Sequence, residues 1–274
     1  MFNRKININS HTYNVHYEDG ASLDALISFI ELQNKISPTE NSKMSNVSNP
    51  TSGLQHYGYE IRHTRYVTLI RAPLSDPALY FKTFHYFGIK RLRPIIFYPS
   101  KSFIFFNSSN YLLKKGINVP KIIAYGEVRR GIFLEMCFIL YKELQGTSIY
   151  NLLNDGIDDI SKGKLFKKVA GELHKLHNQG IYHGDLRPTN ILWDKERVSF
   201  VDLDKTKIRA KNNIDLTVKD LVKLNTPKLP LSILARMRFF IMYLRENSEL
   251  WENRKAILKK IIKGSLKKHN WNKE

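Results

Sequence analysis

One cysteine stands among 274 residues, so no internal disulfide holds this chain and packing must do the work. Cys137 lies within the apolar run MCFILY, surroundings that suit a small buried side chain better than a reactive thiol. Long apolar runs are absent as well. FFIMYL, Phe239 to Leu244, falls far short of the roughly 20 residues that span a bilayer. The opening MFNRKININS has basic residues with no apolar stretch behind them, which predicts no secretory signal and a cytoplasmic, reducing setting. Acid is scarce: 25 Asp+Glu oppose 44 Lys+Arg, a formal charge of +19. Such a surface attracts nucleic acid, anionic lipid headgroups, or a phosphorylated or carboxylated substrate. Zinc spacing, an aromatic RNA-binding motif and a recognition-helix pattern are all missing, so no specific nucleic acid is expected.

What is present is a sizeable apolar fraction, 42% of residues, enough for one large core or two lobes sharing an interface. Alternation over Ile6 to Tyr17 leads to SLDALISFIELQNKI, where Leu23, Leu26, Ile27, Ile30 and Leu32 fall near one helical stripe behind Ser22 as N-cap. Residues Ser37 to Gly53 are polar, rich in Ser and Asn, and read as a surface loop. Strand-like runs then follow one another: YEIRHTRYVTLIRA, ALYFKTFHYF, and, beyond a helical stretch, KIIAYGEV and FLEMCFILYKEL. From Ile149 the period changes. Leu165, Phe166, Val169, Ala170, Leu173 and Leu176 make one helix face that stops at Gly180, and further helices are expected over Leu231 to Glu246 and from Leu250 to about Lys263. The expected class is α+β, with a β-rich N-lobe over 1–144 and an α-helical C-lobe over 145–274.

The acids that do occur gather in IYHGDLRPTNILWDKERVSFVDLD, Ile181 to Asp204, which holds four aspartates and an asparagine. His183 to Asn190 reads as a loop, and NILWD with VSFVDLD as two short strands around KER, a hairpin that sets Asn190 near Asp202. A carboxylate and an amide oxygen converging in one place suit Mg²⁺, a hard ion usually shared with phosphates. The other carboxylate, Asp185, can accept a hydroxyl proton. Singly, each residue has a plainer reading: Asp185 capping a turn, Asn190 satisfying a backbone group, Asp202 ending a strand. Together, framed by Leu186, Ile191, Leu192, Phe200 and Val201, they favour chemistry.

In that frame the stretch resembles the catalytic loop and metal motif of the protein-kinase-like superfamily, His-x-Asp followed by Asn and an Asp-x-Gly-like element. The resemblance implies a two-lobed kinase fold with Asp185 as catalytic aspartate and Asn190 and Asp202 as metal ligands. Gly184 stands where an arginine usually follows the loop histidine, and DLD stands for Asp-Phe-Gly. Phosphate reading by an activation loop is therefore not expected. GIYHGDL with VDLDKTK, and upstream YLLKKGINVPKIIAYGE and FILYKELQGTSIYNLL, is similar to the lipopolysaccharide kinases, over roughly Leu79 to Leu224. That family implies ATP, Mg²⁺ and a Kdo or heptose acceptor linked to lipid. HGDLRPTNIL alone is as close to aminoglycoside and small-alcohol phosphotransferases.

By the same resemblance, ATP phosphates need a strand lysine, and LYFKTF puts Lys82 there; its plain reading is a solvent-facing strand residue. Backbone groups around Glu143 and Leu144 would meet adenine. SKSFIFFNSSNYLLKKG offers no acid to pair with Lys82 and places Phe105 at that position. No glycine-rich loop precedes Lys82, Gly58 being the only nearby glycine; Arg62 or Arg65 could touch phosphate instead but read more simply as solvated strand residues. These gaps keep open a pseudokinase that uses the fold as a binding module. Arg187, two positions after Asp185, suits neutralisation of the transferring phosphoryl group. His174 and His177, three apart on a helix, lack a third ligand and read as packing residues. The tail from Trp251 carries eight Lys+Arg and two Glu. Ile257, Leu258, Ile261 and Ile262 flanked by lysines 255, 259, 260 and 263 suit either an anionic membrane surface or burial in the C-lobe.

Overall fold

The computed structural model describes residues 1–8, 11–35, 60–72, 76–91, 99–210 and 213–270. The expected loop 37–53 and Gly58 lie outside the described residues, as do the side chains of Ser22, Leu32 and Arg62.

The chain forms two compact units: Met1–Asn110 with Pro120–Leu144, and Tyr111–Val119 with Gln145–Glu274. The first is organised by strands β1 (Phe2–Ile8), β2 (His11–Tyr17), β3 (Glu60–Thr64), β4 (Val67–Ala72), β5 (Leu79–His85), β6 (Ile122–Arg130) and β7 (Phe133–Lys142), with helices α1 (Gly20–Lys35) and α2 (Lys101–Lys114). They make one sheet in the order β1-β2-β6-β7-β5-β4-β3. Every pair is antiparallel.

Val, Ile and aromatic residues alternate along these strands, so one face points inward. On β4 the buried residues are Thr68, Ile70 and Ala72. Helix α1 covers that face with Leu26, Phe29 and Ile30. Phe29 stacks on Phe81 of β5 at 5.3 Å between ring centroids, and its full burial removes about 2 kcal/mol of apolar surface from water. Cys137 is fully buried, as its neighbours predicted, and burial pushes its thiol pKa up.

The second unit is helical. It holds β8 (Thr147–Ser148), α3 (Ile149–Asn154), α4 (Asp159–Asn178), β9 (Ile181–Tyr182), β10 (Ile191–Trp193), β11 (Val198–Phe200) and β12 (Lys207–Ile208), then α5 (Ile214–Leu224), α6 (Ile233–Arg245), α7 (Ser248–Glu252) and α8 (Arg254–Asn270). All six α4 residues expected inward are buried. Phe166 meets Phe239 of α6 edge to face at 5.6 Å, and His177 Nδ1 lies 2.7 Å from the Tyr243 hydroxyl, a packing role.

Three helix expectations change. α6 starts two residues late because Ser232 caps it, accepting the Ala235 N–H. The helix foreseen from Leu250 is two, divided at Asn253, which caps α7. α5 was not foreseen: its Ile, Thr and Val are weak helix formers, but Asn213 caps it and Val218, Leu221 and Leu224 bury its inner face.

Candidate active site

Loop His183–Asn190 is pinned at both ends before any chemistry is considered. Upstream, α4 stops at Gly180, whose φ of +68° puts it in the left-handed region and whose Cβ position is filled by the Arg209 carbonyl. A side chain there would collide, so glycine is required. β9 then pairs with β12, Tyr182 opposite Lys207. Downstream, Ile191 faces Phe200 across the expected β10–β11 hairpin, and the Val201 N–H donates to the Asn190 carbonyl at 3.0 Å. Asn190 is thereby tied to the strand end that carries Asp202. Asn118 braces the same strand, its amide donating to Ser199 Oγ at 2.6 Å and its carbonyl accepting from the Phe200 N–H at 2.9 Å.

Within the loop the central fixture is a residue that sequence reasoning missed. Asp220 of α5 is 1% exposed and accepts from the backbone N–H groups of His183 at 2.7 Å and Gly184 at 2.9 Å. Charge-assisted bonds of this kind are short and strong, and a buried carboxylate depends on them. The available signal was an acid on the apolar stripe of Thr217, Leu221 and Leu224.

His183 adds a second tie. Its Nε2–H donates to the Val201 carbonyl at 2.9 Å, so the neutral ring leaves Nδ1 to accept the Asp185 N–H at 3.3 Å. Burial lowers its pKa, which keeps the ring neutral.

Gly184, where the kinase pattern has arginine, has φ +76° and its Cβ position meets the Lys205 carbonyl. The departure has a steric reason. A bare backbone lets the loop approach the segment just after Asp202.

Asp185 is 5% exposed and meets three cations: Lys205 Nζ at 2.7 Å, Arg187 Nε at 3.1 Å and Lys223 Nζ at 3.5 Å. Burial alone would raise its pKa; the Lys205 bond and the charges of Lys205, Lys223 and Arg187 overcome that and hold it at about 2. The carboxylate is ionised at any working pH. Lys223 also bonds the Gly184 carbonyl. Neither Lys205 nor Lys223 was foreseen, since each reaches Asp185 across more than ten residues of sequence.

Asn190 points its Nδ2 at the Asp185 carbonyl, 2.9 Å, which fixes the amide orientation and presents Oδ1 on the other side, where Thr189 donates at 3.4 Å. Asp202 adopts φ 66°, ψ 57°, a left-handed conformation that aspartate tolerates better than most residues at a cost of roughly 1 kcal/mol. The structure thus ties Asp185 to Asn190, and Asn190 to the strand end before Asp202. An amide oxygen and a carboxylate make an all-oxygen donor set, which fits Mg²⁺. Among the described residues no group of three or more His, Cys, Asp or Glu is placed to hold a metal by itself.

The residues foreseen for nucleotide lie in the first unit. Lys82 sits on β5 between Leu69 of β4 and Ile139 of β7, with Nζ 4.9 Å from the Phe84 ring centre. Phe105 is fully buried and stacks on Tyr141 at 5.7 Å, so the helix position that lacks an acid is a packing position. Glu143 receives a two-pronged bond from Arg71, Nε and Nη2 each at 2.8 Å, and a third from Tyr80 at 3.1 Å. Arg71 above all lowers its pKa. The Glu143 N–H donates to the Ala78 carbonyl at 2.7 Å, so that backbone donor is already engaged, while Leu144 is half-buried with no polar side chain.

The tail departs from its expected strip. Ile257 and Ile261 are buried, at 2% and 0% exposure, leaving Ile262 and Leu266 outward at 48% and 60%. α8 lies on α5, where a Cβ on Gly264 would come within 2.7 Å of Val222. No described helix is long and apolar enough to cross a membrane. An apolar cleft opens between α3, α4 and α6. Its one charged lining residue, Arg236, is engaged with the carbonyls of Thr226, Leu229 and Leu231 and with Asn225.

Comparison with known proteins places the chain within one family and one fold. The lipopolysaccharide kinase (Kdo/WaaP) family matches residues 101–238. A 3-deoxy-D-manno-octulosonic acid kinase of Vibrio vulnificus (strain YJ016) is 29% identical over 107 residues, 39% of this chain and 44% of that protein. Its Vibrio cholerae counterpart is 29% identical over 112 residues, 40% of this chain and 46% of that protein. The chain thus aligns with less than half the length of these curated relatives. The solved structure described as WaaP in complex with acyl carrier protein superposes with a TM-score of 0.57 at 19% identity, covering 78% of this chain and 90% of that one. The kinase-like fold follows from that superposition.

Proposed function

This chain belongs to the lipopolysaccharide kinase (Kdo/WaaP) family, and on that premise we propose that it transfers a phosphoryl group from ATP to a hydroxyl of a Kdo or heptose residue in the lipopolysaccharide inner core. The observation that carries the proposal is Asp185. It is an ionised carboxylate on a loop locked by Asp220 and His183, with cations on several sides.

A carboxylate held at about 2 is a poor acceptor for a free proton. Its contribution is to hydrogen-bond the attacking hydroxyl, aim it in line, and take its proton only as the oxygen bonds to phosphorus. Arg187 and Lys205 lie beside the same carboxylate and would neutralise charge on the transferring group. Asn190 and Asp202 would hold Mg²⁺, which when bound screens the phosphate oxygens of ATP. Lys82 would hold the phosphates, and the backbone near Glu143 and Leu144 would receive the adenine.

Work at the inner face of the cytoplasmic membrane is part of the same reading. The supporting surface is narrower than the sequence implied: Ile262 and Leu266 with Lys259, Lys263 and Lys267 remain exposed on α8.

The buried Phe105 favours a second reading, a module that binds without transferring. One experiment separates the two. Phosphate transfer from ATP to a Kdo-bearing lipid acceptor is measured for the wild type and Asp185→Asn, with ATP·Mg²⁺ binding followed by thermal shift. Transfer that falls about a thousandfold in the variant while the shift persists supports the kinase. Undiminished transfer in the variant, or a wild type that binds but transfers nothing, refutes it.

A further inference from the structure

Asp185 is one carboxylate among more cations than a neutral hydroxyl acceptor requires. Lys205 belongs to the acidic side, where Asp202 and Asp204 also act on it. Three others come from separate elements: Arg187 from the loop, Lys223 from α5 and Lys268 from α8. Arg187 and Lys223 lie 3.1 and 3.5 Å from Asp185, with 59% and 32% of their side-chain surface open to solvent.

Lys268 is exposed and within electrostatic reach of Arg187, Lys223 and Asp185. Its placement is built in. Asn225 bonds Ser265 at 3.0 Å, Lys260 pairs with Asp215 at 3.1 Å, and Gly264 lets α8 close on Val222. The pKa of Lys268 is lowered, first by burial and then by the like charges of Arg187 and Lys223. Holding three cations around one carboxylate is unfavourable until an anion joins them.

We propose that Lys223 and Lys268, beside Arg187, form an oxyanion site for the acceptor, so that the sugar to be phosphorylated is recognised by a carboxylate or phosphate it carries near the reacting hydroxyl, with the C-terminal helix supplying the second cation. This rests on the kinase reading above and adds to it the residues that choose the acceptor. Arg187 stays with the transferring group, while the two lysines act on the acceptor as point charges.

The test uses the full chain with 3-deoxy-D-manno-octulosonic acid and its neutral methyl ester, compared by initial-rate kinetics at saturating ATP and by calorimetric binding. Glucose 1-phosphate against glucose, by calorimetry alone, reports whether phosphate serves as well as carboxylate. The wild type should favour the acid over the ester. Lys268→Gln should raise KM for the acid about fivefold, the scale of one partly exposed charge pair, while leaving KM for the ester and for ATP where they were. Lys268→Arg should restore the acid.

Equal handling of acid and ester by the wild type overturns the proposal. So does a Lys268→Gln variant that weakens ATP instead, since the cations would then serve the nucleotide. If neither free sugar is phosphorylated, the Kdo-bearing lipid assay above decides the kinase reading, and calorimetry still decides the oxyanion site by whether the acid binds more tightly than the ester and loses that margin in Lys268→Gln.

Discussion

The catalytic loop of the second unit and the strand lysine of the first hold their chemical groups by opposite means. Asp185 stands on irregular backbone and is fixed by polar bonds: Asp220 to two amides, His183 to Val201 and to Asp185, Asn190 to the Asp185 carbonyl. Lys82 stands on a central strand and is fixed by the ladder, with Leu69 and Ile139 as neighbours. A loop has no ladder, so each of its backbone groups needs a dedicated partner. A strand needs only its register.

That contrast can be broken experimentally, most severely at Asp220. Asp220→Ala leaves two loop amides without their acceptor in a buried place, and should cost about 3 kcal/mol of stability and about a hundredfold in phosphate transfer. Denaturant unfolding and initial rates check both. A folded variant with normal rates would show that the loop keeps its shape without Asp220.

The strand side should yield less. Lys82→Met is expected to raise KM for ATP by about tenfold while leaving the unfolding midpoint within about 0.5 kcal/mol, because ladder and core are untouched. A large loss of stability would mean that Lys82 supports the sheet rather than the nucleotide.

The smallest effect concerns pH. The folded pKa of Asp185 lies at about 2, below its unbound 3.8. Its contribution to stability is therefore complete above 3.8 and is lost as pH falls from there toward 2. Lys205→Met removes the 2.7 Å partner, so the acid limb of kcat/KM should move upward relative to the wild type, with a loss of a fewfold in rate at neutral pH. An unmoved limb would mean that Lys223 and Arg187 alone hold Asp185 ionised.

Legibility followed the same division. The hairpin that joins Asn190 to Asp202, the face of α4 and strands β5, β6 and β7 could be read because each rests on periodicity or on neighbours a few residues apart, whereas the turns that part β1 from β2 and β3 from β4 were not read. The turn at Gly180 was read from glycine alone. Gly184 looked like a missing arginine, and only the Lys205 carbonyl in its Cβ position gives it a reason. α5 was passed over because its β-branched residues hide a helix that its cap and burial secure.

Sequence alone determined that a β-rich part precedes a helical one, that four aspartates and an asparagine fall between Ile181 and Asp204, and that positive charge is in surplus, since these depend on local spacing and composition. Tertiary structure decided that Asp220 anchors the loop, that Lys205 and Lys223 keep Asp185 ionised, that Lys268 comes within reach of it, and that Ile257 and Ile261 turn inward. Each of those outcomes joins groups 20 or more residues apart in sequence, and side chains at such separations meet only once the cores between them have packed.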